Sequence, residues 1–137
     1  MMDIAFYKGP ATDFWHQLSH KLICWFTGSE YSHCEIVING TAMSSSSRDG
    51  GVRFKTIDFT SGKWDVVPLP GDEQEVWDWF ASNAGRKYDY AGVARFIVPL
   101  LPQRHNQWFC SEACAAALGL NCPADWTPGM LAEVFLK

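Results

Sequence analysis

Basic clusters are missing from this sequence. Its 11 Lys and Arg are scattered and set against 15 Asp and Glu, for a formal charge of −4. A surface with no positive stripe has little to offer a phosphate backbone, so no nucleic-acid partner is expected. No run of 18 apolar residues is present, which argues against a transmembrane segment. The opening MMDIAFYK lacks a basic segment followed by an apolar one, so no secretory leader is expected and the expected location is cytoplasmic. Paired CxxC knuckles are absent as well. The cysteines Cys24, Cys34, Cys110, Cys114 and Cys122 are odd in number, which points to reduced thiols and not to a disulfide framework. Cys110 and Cys114, four apart on one helix face, supply half of a tetrahedral set, but no second pair is spaced to complete it. His16 and His20 have the spacing of a helical metal pair but no acidic or cysteine partner in register. Neither a metal nor a cofactor is expected.

What is abundant is aromatic side chain, with seven Trp and nine Phe in 137 residues, of which 47% are hydrophobic. That composition builds a packed core within one domain, residues 1–137. In chain order, Asp3 to Tyr7 is a short apolar strand closed by Lys8-Gly9-Pro10. Thr12 or Asp13 caps a helix to about Phe26, with Phe14, Leu18, Leu22 and Phe26 on its apolar face. His33 to Ile38 is a strand, Asn39-Gly40 a two-residue hairpin, and Thr41 to Ser45 the returning strand. Val52 to Ile57 alternates as a half-buried strand does, and Lys63 to Leu69 follows, closed by prolines. This order predicts an antiparallel meander. From Asp72 a helix begins with acid in its first turn and Val76, Trp77 and Phe80 on its inner face. A second helical stretch is expected from Asp89 toward Val98, and a last one is capped by Thr127 with Pro128 at its first position.

The chemistry gathers at two distant stretches. Trp108-Phe109-Cys110-Ser111-Glu112-Ala113-Cys114 leads an aromatic approach into a small-residue helix with a cysteine in its first turn. Unpaired backbone N–H groups and the positive end of the helix dipole favour thiolate there, so Cys110 is the candidate nucleophile. The competing reading is an inert, buried cysteine. Upstream, Tyr31-Ser32-His33-Cys34-Glu35 carries His33 on a rigid strand as the candidate base, with loop-borne His105 as the competitor. His33 and Glu35 share a strand face, which makes Glu35 the candidate orienting carboxylate. Side chains two apart stand about 7 Å from each other, however, so both must lean to meet. Glu35 reads equally well as a solvated residue, and Ser44, Ser45 or Ser46 on the returning strand offers a weaker acceptor.

At these stretches the sequence resembles the circularly permuted branch of the NlpC and papain-like cysteine hydrolases, which includes YiiX-like proteins and the lecithin:retinol acyltransferase group. The order Ser32-His33 before Cys110-Ser111-Glu112 carries the resemblance. The strand at Asp3 to Tyr7, Thr27-Gly28-Ser29, Gly50-Gly51-Val52-Arg53 (similar to the sheet's middle strand), Gly85 to Tyr90 and Thr127-Pro128-Gly129 extend it over nearly the whole chain. The resemblance implies an α+β, permuted papain-like domain with an antiparallel sheet packed against helices. It also implies Cys110 as nucleophile with its own N–H in the oxyanion hole, His33 as base, and a third polar residue from the strand after the histidine. That strand offers only serines here, so Glu35 takes the third place. Tyr31 is a further oxyanion contact or a packing residue. The expected activity is that of a cysteine peptidase or amidase acting on a peptide or cell-wall amide through a thioacyl-enzyme. Acyl transfer or thioester cleavage on a lipid or ester substrate is the alternative on the same residue pair, and a non-catalytic binding module is the rival from another class.

Overall fold

The computed structural model describes residues 1–9, 24, 28–89 and 107–137. The expected helix from Thr12 to Phe26 (Cys24 aside), the stretch from residue 90 to Val98, and His16, His20 and His105 lie outside the described residues.

Short segments bounded by turn residues form β1 (Met2–Tyr7), β2 (His33–Ile38), β3 (Thr41–Ser46), β4 (Gly51–Lys55) and β5 (Trp64–Pro68). Asn39 and Gly40 both adopt positive φ, at 49° and 82°. The β2–β3 turn is therefore of the twisted type that Asn-Gly favours, and it fixes Ile38 opposite Thr41. The α-helices with bounds among the described residues are α1 (Glu73–Asn83), α2 (Cys110–Ala117) and α3 (Pro128–Phe135). Asp72 caps α1 by accepting from the N–H groups of Gln74 and Glu75, and Thr127 caps α3 by accepting from Met130 N–H. Two short strands, β6 (Lys87–Tyr88) and β7 (Gln107–Trp108), complete a mixed α+β molecule.

The seven-stranded sheet runs β5-β1-β2-β3-β4-β6-β7, and two of its features correct the expected meander. First, β5 does not follow β4 across the sheet. The edge of β4 is taken by β6, with Gly51 opposite Lys87, so β5 returns to the far edge beside β1. There Trp64 lies opposite Tyr7 with the rings 5.0 Å apart, and Pro68, which has no N–H to donate, sits on the outer strand. Second, β6 and β7 pair in parallel, so the sheet is not wholly antiparallel. Parallel neighbours cannot be joined by a tight hairpin, so β6 and β7 are not consecutive arms of a meander. In this order β3 is the middle strand and β4 lies beside it.

Helices α1, α2 and α3 all cover one face of the sheet. Met2, Ile4, Phe6, Cys34, Ile36, Ile38, Met43 and Val52 meet Val76, Phe80, Cys114 and Leu131 there. On α1 the inward row is Val76, Trp79 and Phe80. Trp79 packs on Trp108 with ring centroids 4.8 Å apart. Trp77, expected inside, is 36% exposed and lies over Phe54 at 4.9 Å, because one residue along a helix turns the side chain by about 100°. Helix α2 is enclosed on nearly every side, which its Ala, Ser and Cys side chains permit: Ser111, Ala113, Cys114 and Ala115 are fully buried.

Candidate active site

The sheet opens where the site forms. Strand β2 pairs with β3 from Ile38↔Thr41 to Ile36↔Met43, and the ladder ends there. Helix α2 packs against both and brings its N-terminus to β2. On the other side, Ser45 Oγ donates to the Trp108 carbonyl at 2.5 Å and ties β3 to the segment entering the helix. Phe109 is the N-cap and offers no side-chain oxygen. The helical ladder starts at Ala113 N–H to Phe109 O, 2.9 Å, so the N–H groups before it, that of Cys110 included, point out of the helix end.

Cys110 is the first helical residue, and it and the His33 ring act on each other electrostatically. The Cys34 thiol, and then the charge and hydrogen bond of His33, hold Cys110 well below the ordinary thiol range against the opposing effect of burial. Burial works against a charged His33 ring, but Cys110 and then Glu35 outweigh it and lift the imidazole to about 10. Both shifts run toward a thiolate beside an imidazolium. The His33 side chain keeps 22% exposure, which leaves the ring reachable from solvent.

His33 and Glu35 do lean together: His33 Nε2 lies 2.7 Å from Glu35 Oε1. Glu35 is fully buried, which removes the solvated reading. Burial alone would raise its pKa, yet Arg53 and His33 hold it below the ordinary carboxylate value. Arg53 grips both carboxylate oxygens, Nη1 to Oε2 at 2.7 Å and Nη2 to Oε1 at 2.5 Å. Its Nε donates to Asp49 at 2.8 Å. A bidentate guanidinium is the geometry that best keeps a buried carboxylate ionised. Of the alternative acceptors, Ser45 is committed to Trp108, and Ser44 Oγ, fully buried, has no partner among the described residues. Tyr31 packs on Phe6 and gives its hydroxyl to Asp65. Both contacts are those of a packing residue whose hydroxyl is already engaged.

Two members of this constellation are not evident from the two motifs, Arg53 and Cys34. The hairpin contains the signal for the first. The β2–β3 register continued by one residue sets Glu35 beside Ser44, and Ser44 lies opposite Arg53. The small serine leaves room for the arginine to reach across it. Cys34 carries no local sequence signal beyond the alternation that turns it toward α2.

Among the described residues no group of three or more His, Cys, Asp and Glu side chains is placed to hold a metal ion, and no helix is long and apolar enough to cross a membrane. No protein-family model matches the chain, and no curated protein sequence matches it significantly. Functional assignment therefore rests on residue chemistry and geometry.

Proposed function

We propose that the protein is a cysteine hydrolase of the permuted papain-like type, cleaving an amide of a peptide or cell-wall fragment through an acyl-enzyme on Cys110. The observation that carries this reading is the line of contacts from His33 Nε2 to Glu35 and from Glu35 to Arg53, with Cys110 at the start of α2 in electrostatic reach of the His33 ring. With Nε2 turned to Glu35, Nδ1 is the nitrogen available to the sulfur.

The thiolate attacks the carbonyl carbon, and the oxyanion that forms is met by the Cys110 N–H at the positive end of α2. His33 then gives its proton to the departing amine and leaves a thioester. Neutral His33 takes a proton from water, the hydroxide displaces the sulfur, and carboxylic acid and thiolate are restored. Glu35 holds the ring in orientation and stabilises its charge, as the acidic member of a triad does.

A peptidyl acyloxymethyl ketone followed by peptide mapping tests the reading. The adduct is expected on the peptide carrying Cys110 and is lost in Cys110→Ala and in His33→Ala. Labelling spread equally over Cys24 and the exposed Cys122, or unchanged in His33→Ala, contradicts it.

A further inference from the structure

The face of the sheet turned away from α1, α2 and α3 carries an aromatic row that ends at the candidate base. Trp64 on β5 lies opposite Tyr7 on β1, and Tyr7 lies opposite His33 on β2, so by strand parity the three side chains stand side by side on one face. Trp64 is the hub. Its ring centroid is 5.0 Å from Tyr7, 5.0 Å from Phe59 and 6.3 Å from His33. Trp64 and Phe59 also pack on a small second core of Ala5, Val37 and Ala42. Even so, Trp64, Tyr7 and Phe59 stay only half-buried, and Val66, two residues along β5 on the same face, is 41% exposed. The acylation chemistry above uses none of these rings.

We propose that Trp64, with Tyr7 beside it, is a specificity-determining subsite that takes an aromatic side chain on the residue whose amine departs. The placement on the leaving side rests on the acylation reading above. Cys110 belongs to the core on the helix-covered face, Trp64 packs on the opposite face, and His33 is the first residue of β2, at the strand end. His33 gives its proton to the departing amine, so that amine lies within hydrogen-bond reach of the ring, and the residue carrying it lies on the His33 side of the sulfur. Among the described residues, the half-buried apolar surface beside His33 is the Trp64 row.

Ring chemistry favours an aromatic occupant over an aliphatic one. Tilted and edge-to-face ring pairs gain roughly two- to tenfold in affinity beyond the area they bury. Trp64 already meets Tyr7 at 58°, His33 at 72° and Phe59 at 80°, and a further ring extends the same packing. The neighbouring charges, in contrast, are already matched with one another. Lys8 pairs with Asp65 at 2.8 Å, Tyr31 donates to the other Asp65 oxygen, and Glu35 is held by His33 and Arg53. An uncharged ring leaves these pairs intact, whereas a charged side chain would have to compete with them.

Two measurements test it, the first independent of turnover. Phenylalaninamide is titrated into the folded protein while the indole N–H and imidazole signals are followed by NMR. The Trp64 and His33 signals are expected to shift together, with the exposed Trp77 as the control. Affinity is expected to fall about tenfold in Trp64→Leu and to be largely kept in Trp64→Phe. Shifts at Trp77 without shifts at Trp64 overturn the proposal, and if Trp64→Leu does not fold, the wild-type map decides alone. The second measurement acylates Cys110 with N-acetylglycine methyl ester and lets amines compete with water. The amine nitrogen attacks the thioester carbon, the C–S bond breaks, and the amine proton passes to neutral His33. Phenylalaninamide is expected to capture the acyl group about tenfold better than alaninamide and about threefold better than leucinamide, and Trp64→Leu is expected to level the three. Equal capture by the wild-type protein overturns the subsite and leaves the hydrolase reading standing. Ring binding at Trp64 with no acyl group reaching Cys110 removes the hydrolase reading instead, and overturns the leaving-group role with it.

Discussion

Glu35 is the residue on which the site's electrostatics turn, because it is wholly buried and shared between the His33 ring and the Arg53 guanidinium. Glu35→Gln preserves its shape and removes its charge. His33 then loses an anion within hydrogen-bonding distance, an effect of roughly 1–3 pKa units, and the Cys110 thiolate loses support with it. Alkylation of Cys110 at pH 6 is expected to slow by about tenfold or more. The same change leaves Arg53 facing a neutral amide, and urea unfolding should show a loss of about 3 kcal/mol. Arg53→Met breaks the pair from the other side, leaves the carboxylate buried without its main partner, and is expected to cost a similar amount. It also raises the pKa of Glu35, so the acid limb of Cys110 alkylation moves to higher pH. Asp49→Asn, at the solvent side of Arg53, is expected to cost about 1 kcal/mol or less. If Arg53→Met changes stability but leaves the alkylation profile untouched, Arg53 is a fold residue only.

At the scale of elements, local pattern foretells most of the strands and caps and fails where the choice is between distant partners. The Asn39-Gly40 turn, the Asp72 and Thr127 caps and the alternation of β2 are all decided within a few residues, and each is legible. His33 and Glu35 share a face by strand parity alone. Which strand takes which edge is decided by competition: β6 occupies the edge of β4, and β5 goes to β1, a choice that no window around Trp64 contains. Trp77 misleads because a large apolar ring at the margin of a helix stripe reads as core, although Trp79 is the better placed of the two. Arg53 needs two hairpin registers in succession, so it is recoverable only once β2, β3 and β4 are known to be neighbours. The β4–β6 junction offers a sharp test. A Cβ at Gly51 would lie 1.9 Å from the Arg86 carbonyl oxygen, whereas one at Gly50 meets nothing within 4 Å. Arg86 O also accepts from Val52 N–H at 2.9 Å, so Gly51→Ala must break the strand contact. It is expected to cost about 3 kcal/mol or more by thermal unfolding. Gly50→Ala, at φ 84°, is expected to cost only about 1–2 kcal/mol for its left-handed backbone. Equal losses would mean that the junction tolerates separation.

For the whole molecule, the site makes stability depend on pH in a way whose sign follows from the two shifts. His33 is raised to about 10, so its contribution is complete below the unfolded value near 6.5 and is lost as pH rises through about 10. Cys110 is lowered, so its contribution is complete above the unfolded value near 8.5 and is lost as pH falls. Between about 6.5 and 8.5 the native pair and the unfolded pair each hold one proton in total, and the slope from this site is zero. Above that window the unfolded chain holds fewer protons than the native one, and below it more, so stability falls on both sides. Glu35, lowered in the native state, steepens the acid side below about 4.3. Urea midpoints across pH are expected to show this plateau, and His33→Ala is expected to remove the fall between about 8.5 and 10.

The thiolate–imidazolium pair is tested most directly by the rate of iodoacetamide alkylation at Cys110 as a function of pH, followed by mass spectrometry of the Cys110 peptide. The predicted profile is nearly flat from about pH 6 to 8, with Cys122 rising about tenfold per unit in the same samples as an internal ordinary thiol. A Cys110 profile that climbs in parallel with Cys122 up to about pH 8.5 would contradict it.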